Sequence, residues 1–144
     1  LSRLLGFGNK YRYKDISPER LHEIDVAQGA YFMVKKNILD EVDWFDEDYF
    51  LDGEDIDLCW KIKQTGKKIM YLPDAYITHI KKASKNNDRK KSLTSVTRGV
   101  DAMRIFYKKR LESRYPFLVN QMVYLGINFL KIIRIVKYKV LPWK

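Results

Sequence analysis

Apolar positions along the chain change period several times, and each change marks an element. The run Val26 to Val34 (VAQGAYFMV) is almost unbroken and predicts a buried strand, with Gly29 allowing a close approach to the backbone. Lys35 to Val42 follows with Ile38, Leu39 and Val42 at helical spacing, predicting a short helix. Asp43 to Gly53 mixes carboxylates with Trp44, Phe45, Tyr49 and Phe50, as a packed loop does. From Asp55 the period becomes helical again, with Leu58 and Ile62 four apart and Gly66 as a C-terminal stop. Lys68 to Leu72 predicts a strand, Pro73-Asp74 a turn, and Ala75 to Ile80 a second strand.

Upstream, residues 1–16 read as an extended lead-in, and Ser17-Pro18-Glu19 has the form of a helix start. Downstream, residues 81–95 are polar and charged and read as a loop. Val96, Val100, Met103, Tyr107 and Leu111 then recur at spacings of four, three, four and four, predicting an amphipathic helix that ends before Pro116. A last helix is predicted from about Phe117 to Tyr138. Strand–helix–strand order in the first part implies an α/β domain. The organisation expected is therefore residues 1–95 as one unit and 96–144 as a basic helical tail.

Charge sharpens that division. Residues 1–80 carry 11 Lys+Arg and 15 Asp+Glu, a net −4, whereas residues 81–144 carry 17 and 3, a net +14. Between Asp40 and Asp57 there are ten carboxylates in 18 positions and no basic residue. An acidic centre joined to a basic tail suggests one chemical site and one attachment surface. An apolar content of 46% excludes disorder as a description of the whole chain. The lone Cys59 has no partner for an internal disulfide and fits a reducing compartment. The sequence opens on Leu1 with no charged-then-apolar leader in view.

The densest chemistry lies in Gly53-Glu54-Asp55-Ile56-Asp57-Leu58, three carboxylates around a helix start. Such a turn can supply a general base, and it can equally be a set of good helix caps. A calcium loop does not fit: with Gly53 at its sixth position, Phe50 falls on a ligand position and Cys59 on the position of the closing Glu.

The surrounding string favours chemistry. Gly29-Ala30, Lys35-Lys36, Phe45-Asp46-Glu47, Tyr49-Phe50, Glu54-Asp55-x-Asp57-Leu58-Cys59, Gly66, Pro73-x-Ala75 and His79 occur in order. This resembles the second half of family 2 glycosyltransferases, above all the bacterial rhamnosyltransferase-like group that builds surface polysaccharides. The resemblance covers residues 26–84, and Phe106-Tyr107-Lys108-Lys109 echoes a later F-Y-x-K element. It implies the C-terminal half of a GT-A fold followed by amphipathic helices, and an inverting transfer from a nucleotide-sugar donor to a saccharide or lipid-linked acceptor. Asp55 would be the general base, with Glu54 and Asp57 completing the catalytic turn. His79 would lie at a divalent metal (manganese or magnesium) and the donor diphosphate. Gly29, Ala30 and Ser84 would line the acceptor side. Where that group has an arginine pair and a later arginine, this chain has Lys35-Lys36 and Lys61, which keep the charge but not the bidentate fork. Lys82 stands where the group has a glycine. The donor-binding half and its D-x-D metal motif are not among the 28 residues before Gly29, so the sequence reads as a piece of a longer enzyme.

In the tail, Ile132, Ile133, Ile135, Val136 and Val140 fall on one arc of a helical wheel and Lys131, Arg134 and Lys137 on another, with Lys139 out of place. This predicts peripheral contact of residues 117–144 with an anionic membrane, on the cytoplasmic face of the cell membrane, or packing on the chain's own domain. Nucleic acid is disfavoured as a partner because it would leave the apolar arc without a role. The rival to an enzyme is a non-catalytic module that binds membranes or partners through its basic helices.

Overall fold

The computed structural model describes residues 16–78 and 92–140. Among them the chain forms β1 (His22–Ile24), α1 (Lys36–Glu41), α2 (Glu54–Gln64), β2 (Ile69–Tyr71), α3 (Leu93–Phe106) and α4 (Phe117–Val140). The two strands pair antiparallel, with His22 opposite Tyr71 and Ile24 opposite Ile69. The architecture is helix-rich with a two-stranded sheet.

Three predicted elements are not formed among the described residues. Ser17 to Arg20 is a turn closed by the Arg20 amide on the Ser17 carbonyl (3.2 Å) and not a helix. Val26 to Val34 is irregular and not a buried strand. Its backbone bends at Gln28–Tyr31, where the Tyr31 amide reaches the Gln28 carbonyl (3.2 Å). Phe32 and Val34 still face inward, against a core of Val42, Leu58 and Ile62 shared with Ile38, Leu39 and Ile69. The apolar run is thus explained by packing, while Ala27 and Gly29 give their amides to side chains of α2 rather than to a ladder. Residues 75–78 likewise form no strand, and 79–80 lie outside the described residues.

The helices follow the sequence more closely. Gly53 (φ +97°) opens α2 and Gly66 (φ +77°) follows its end, as the punctuation predicts. Ser92 caps α3, its Oγ accepting from the Ser95 amide (3.2 Å), so the helix begins earlier than the polar loop suggested. Beyond Phe106 the same helix widens into a π turn over Tyr107–Leu111 and tightens into a 3₁₀ turn over Glu112–Arg114. Asn120, an anomaly in an apolar stretch, satisfies the carbonyls freed there: it donates to Glu112 (3.0 Å) and Tyr115 (3.1 Å) and accepts from the Tyr107 hydroxyl (2.6 Å).

Helices α3 and α4 share a second core, of Val100, Tyr107 and Ile127 with Leu111, Val123 and Tyr124. The packing also fixes which arc of the tail faces α3. Lys131 bonds Asp101 (2.6 Å), Arg134 reaches the Val96 carbonyl (3.4 Å), and Asn128 accepts from Arg104 (3.0 Å). Lys131 and Arg134 of the basic arc therefore turn toward α3, Lys137 stays exposed, and Ile132, Val136 and Val140 of the apolar arc face solvent.

Candidate functional site

Glycine at position 53 lets the chain enter α2 through a left-handed turn, and a side chain there would not fit. A Cβ on Gly53 would stand 2.9 Å from the Ala102 Cβ and 3.2 Å from the Tyr49 ring. This close approach seats the first turn of α2 against α3 and sets its three carboxylates in different surroundings.

Asp55 is half-exposed, with both oxygens oriented. Its Oδ2 accepts from the Gly29 amide (3.0 Å) and its Oδ1 from the Ile56 amide (2.8 Å). Each oxygen keeps a lone pair for another donor. Gly29 lies across from it, and a Cβ there would meet the carboxylate at 3.6 Å, an ordinary contact. Ala30 sits beside Gly29 on the same exposed bend. Glu54 is half-buried, and its Oε2 has no hydrogen-bond partner among the described residues.

Asp57 is entirely enclosed. Arg110 grips it with Nε on Oδ1 (2.7 Å) and Nη2 on Oδ2 (2.9 Å), and the Tyr49 hydroxyl donates to Oδ1 (3.2 Å). Burial pushes the Tyr49 hydroxyl well above its usual range, and the neighbouring Asp57 charge pushes it further. The Asp57 hydrogen bond raises Arg110 against the opposing effect of burial, so the guanidinium is a permanent cation. Its other flank lies over the Trp60 ring (5.6 Å). Asp57 thus supports the turn from beneath and is not itself open to a substrate.

The same π turn carries Lys109, which bridges Asp46 (2.7 Å) and Asp48 (2.5 Å). Burial works to raise Asp46, but hydrogen bonds from Lys109 and the Asp48 amide, with the charges of Lys109 and Arg110, hold its carboxyl below the usual range. Lys61, where the family resemblance has arginine, donates to the carbonyls of Asp43 and Trp44 at the end of α1. Burial lowers its ammonium. Cys59 lies under the Gly29 bend, its thiol raised by burial.

His79 and Ser84 lie outside the described residues. Among the described residues no group of three or more His, Cys, Asp or Glu side chains could hold a metal ion. His22 is half-buried on β1 against Tyr71. Arg110 escaped sequence reasoning. The F-Y-x-K echo ending at Lys109, just before it, was the available signal.

In comparison with known proteins, the chain is 32% identical over 56 residues to the rhamnosyltransferase WbbL of Escherichia coli, covering 39% of this chain and 21% of that protein. It is 30% identical over 78 residues to the N-acetylglucosaminyl-diphospho-decaprenol L-rhamnosyltransferase of Mycobacterium tuberculosis, covering 54% of this chain and 25% of that one. The chain spans a quarter or less of the length of these relatives. No family model matches the sequence, and no solved structure matches it significantly. Both relatives are named as rhamnosyltransferases.

Proposed function

We propose that the chain is the acceptor-side part of an inverting, nucleotide-sugar-dependent glycosyltransferase, with Asp55 as its general base and a lipid- or polysaccharide-linked saccharide as its acceptor. The observation that carries this reading is the contrast within one helical turn. Asp57 is neutralised by Arg110 and closed off, whereas Asp55 is oriented by two amides and reachable. In the proposed step Asp55 takes the proton of an acceptor hydroxyl as its oxygen bonds the anomeric carbon. The bond from that carbon to the donor diphosphate breaks on the opposite face, so the configuration inverts. The relatives' names, with their rhamnosyl transfer and diphospho-decaprenol acceptor, support the substrate classes. By the resemblance, His79 would hold the donor diphosphate and a divalent metal, which would offset the charge of the leaving diphosphate.

The test is Asp55→Asn in the full-length enzyme. The amide keeps size and shape but accepts no proton, so transfer should fall by about 10²–10⁴-fold while thermal unfolding and donor binding stay at parent values. Retention of more than about a tenth of the activity would remove Asp55 from the role.

A further inference from the structure

We propose that the outward arc of α4 is a membrane-docking surface that seats in the interface of an anionic bilayer with the helix axis in the membrane plane. This goes beyond the transfer reaction and does not rest on it. Along one side of the helix stand Leu118, Met122, Leu125, Phe129, Ile132 and Val136, whose exposure runs from 74% at Leu118 to 50% at Val136. Large apolar side chains left in water over the whole of a 24-residue helix call for a cover. Helix α4 is also long and apolar enough to pass as a membrane span, with only 11% of its most apolar window buried.

Three observations choose the occupant. The first is the width of the arc. At 100° per residue the exposed apolar positions from Ile132 round to Leu130 cover about 160°, much wider than the two-position seam of a paired coiled coil. Val119 and Leu130 widen the arc on one side, with Lys137 at the same angle and Lys139 at the opposite edge, so exposed lysines frame a broad apolar face. A second copy of the chain fits this poorly, and a lipid surface fits it well.

The second is the opposite arc. Lys131 and Arg134 are bound to Asp101 and the Val96 carbonyl, and Asn128 to Arg104. A spanning helix would carry these charges and α3 into hydrocarbon, so α4 lies along the surface rather than across it. The third is charge. Lys137 and Lys139 are exposed near the C-terminal end of the helix, and residues 81–144 as a whole carry 17 basic and 3 acidic side chains. The binding is therefore chiefly apolar, with a smaller electrostatic part from lysines outside the α3 contact.

The experiment is co-sedimentation of the full chain with phosphatidylcholine vesicles, with and without phosphatidylglycerol, at low and high salt. The parent should bind both vesicles, and the anionic ones more tightly. Salt should weaken the anionic preference by no more than about thirtyfold, the share of two lysines. Leu125→Glu/Phe129→Glu should lower partitioning by on the order of a hundredfold, about tenfold per large apolar side chain, with an unchanged melting profile. Phe129→Trp keeps the surface apolar and gives a second reading: its fluorescence should be quenched by brominated lipid. Parent-like binding by the double glutamate variant, or an unquenched Phe129→Trp, overturns the proposal. So does a parent that ignores vesicles but sediments as a dimer that Leu125→Glu/Phe129→Glu dissolves, since a second copy then covers the arc.

Discussion

Replacing Arg110 with methionine isolates the contact that joins the proposed catalytic turn to the C-terminal helices. Asp57 has no exposed surface, and its charge is met by two Arg110 hydrogen bonds of 2.7 and 2.9 Å and one from Tyr49 of 3.2 Å. Methionine keeps an unbranched stem of similar length, so the cavity left is small, and the loss is the cation together with its contact over Trp60. An uncompensated buried carboxylate costs about 3–5 kcal/mol. With a urea slope near 2 kcal/mol per M, the unfolding midpoint should fall by about 2 M. Fluorescence of Trp60, directly beneath the guanidinium, reports the transition. Arg110→Met/Asp57→Asn removes both charges and keeps a partner for Tyr49. It should recover part of the loss, with a coupling of about 1–3 kcal/mol between the two positions. Activity should fall in Arg110→Met with Asp55 chemically intact, because Asp57 lies two residues further along the same helix. A cost below about 1 kcal/mol, as for an exposed ion pair, would refute the argument. Strict additivity in the double variant would refute it as well.

The Lys109–Asp46 contact makes a pH prediction. The folded Asp46 carboxyl lies below its unfolded value, so its stabilisation is complete above about pH 4 and is lost as pH falls through the folded value. Asp46→Asn should therefore flatten the acid limb of a melting-temperature profile and leave the alkaline limb unchanged. Gly53→Ala combines a strained φ of +97° with a 2.9 Å clash and should cost about 1–3 kcal/mol in thermal unfolding. A parent-like melting temperature would contradict that geometry. Gly29→Ala meets only an ordinary 3.6 Å contact, so stability should change by less than about 0.5 kcal/mol. The added methyl crowds Asp55, so acceptor KM should rise with donor KM unchanged. Equal parent and variant acceptor KM would detach Gly29 from the acceptor.

Local chemistry made α2 legible. Two glycines bracket a Leu58–Ile62 stripe, and the structure places the helix between them. Helices α3 and α4 were readable from their stripes and from Pro116, which separates them. The run Val26–Val34 was not, because an apolar run records burial without recording which partner takes the backbone amides. Here two of those amides go to Cys59 and Asp55, 32 and 26 residues away. A helical wheel shows which residues of α4 share a face. It cannot tell which face turns inward, and Asp101, a residue of another helix, decides that. Arg110 follows Lys108-Lys109 as one more cation in a basic stretch, and only its bond to a carboxylate 53 residues earlier sets it apart.

That bond also changes the meaning of the charge asymmetry. An acidic stretch ending at Asp57 and a basic half beginning at Lys81 suggest two separate surfaces, one for chemistry and one for attachment. In the folded chain they partly cancel each other. Arg98 lies 4.0 Å from Asp52, Lys109 bridges Asp46 and Asp48, and Arg110 encloses Asp57. Like charges crowded between Asp40 and Asp57 would repel one another without these partners. The basic side chains of α3 and its π turn are therefore part of what lets so acidic a segment fold around the turn. This internal pairing leaves an oriented, reachable carboxylate at Asp55 on one side. On the other it leaves the exposed lysines 137 and 139 beside an uncovered apolar arc. The proposed chemistry and the proposed attachment thus use groups that the internal pairing does not consume.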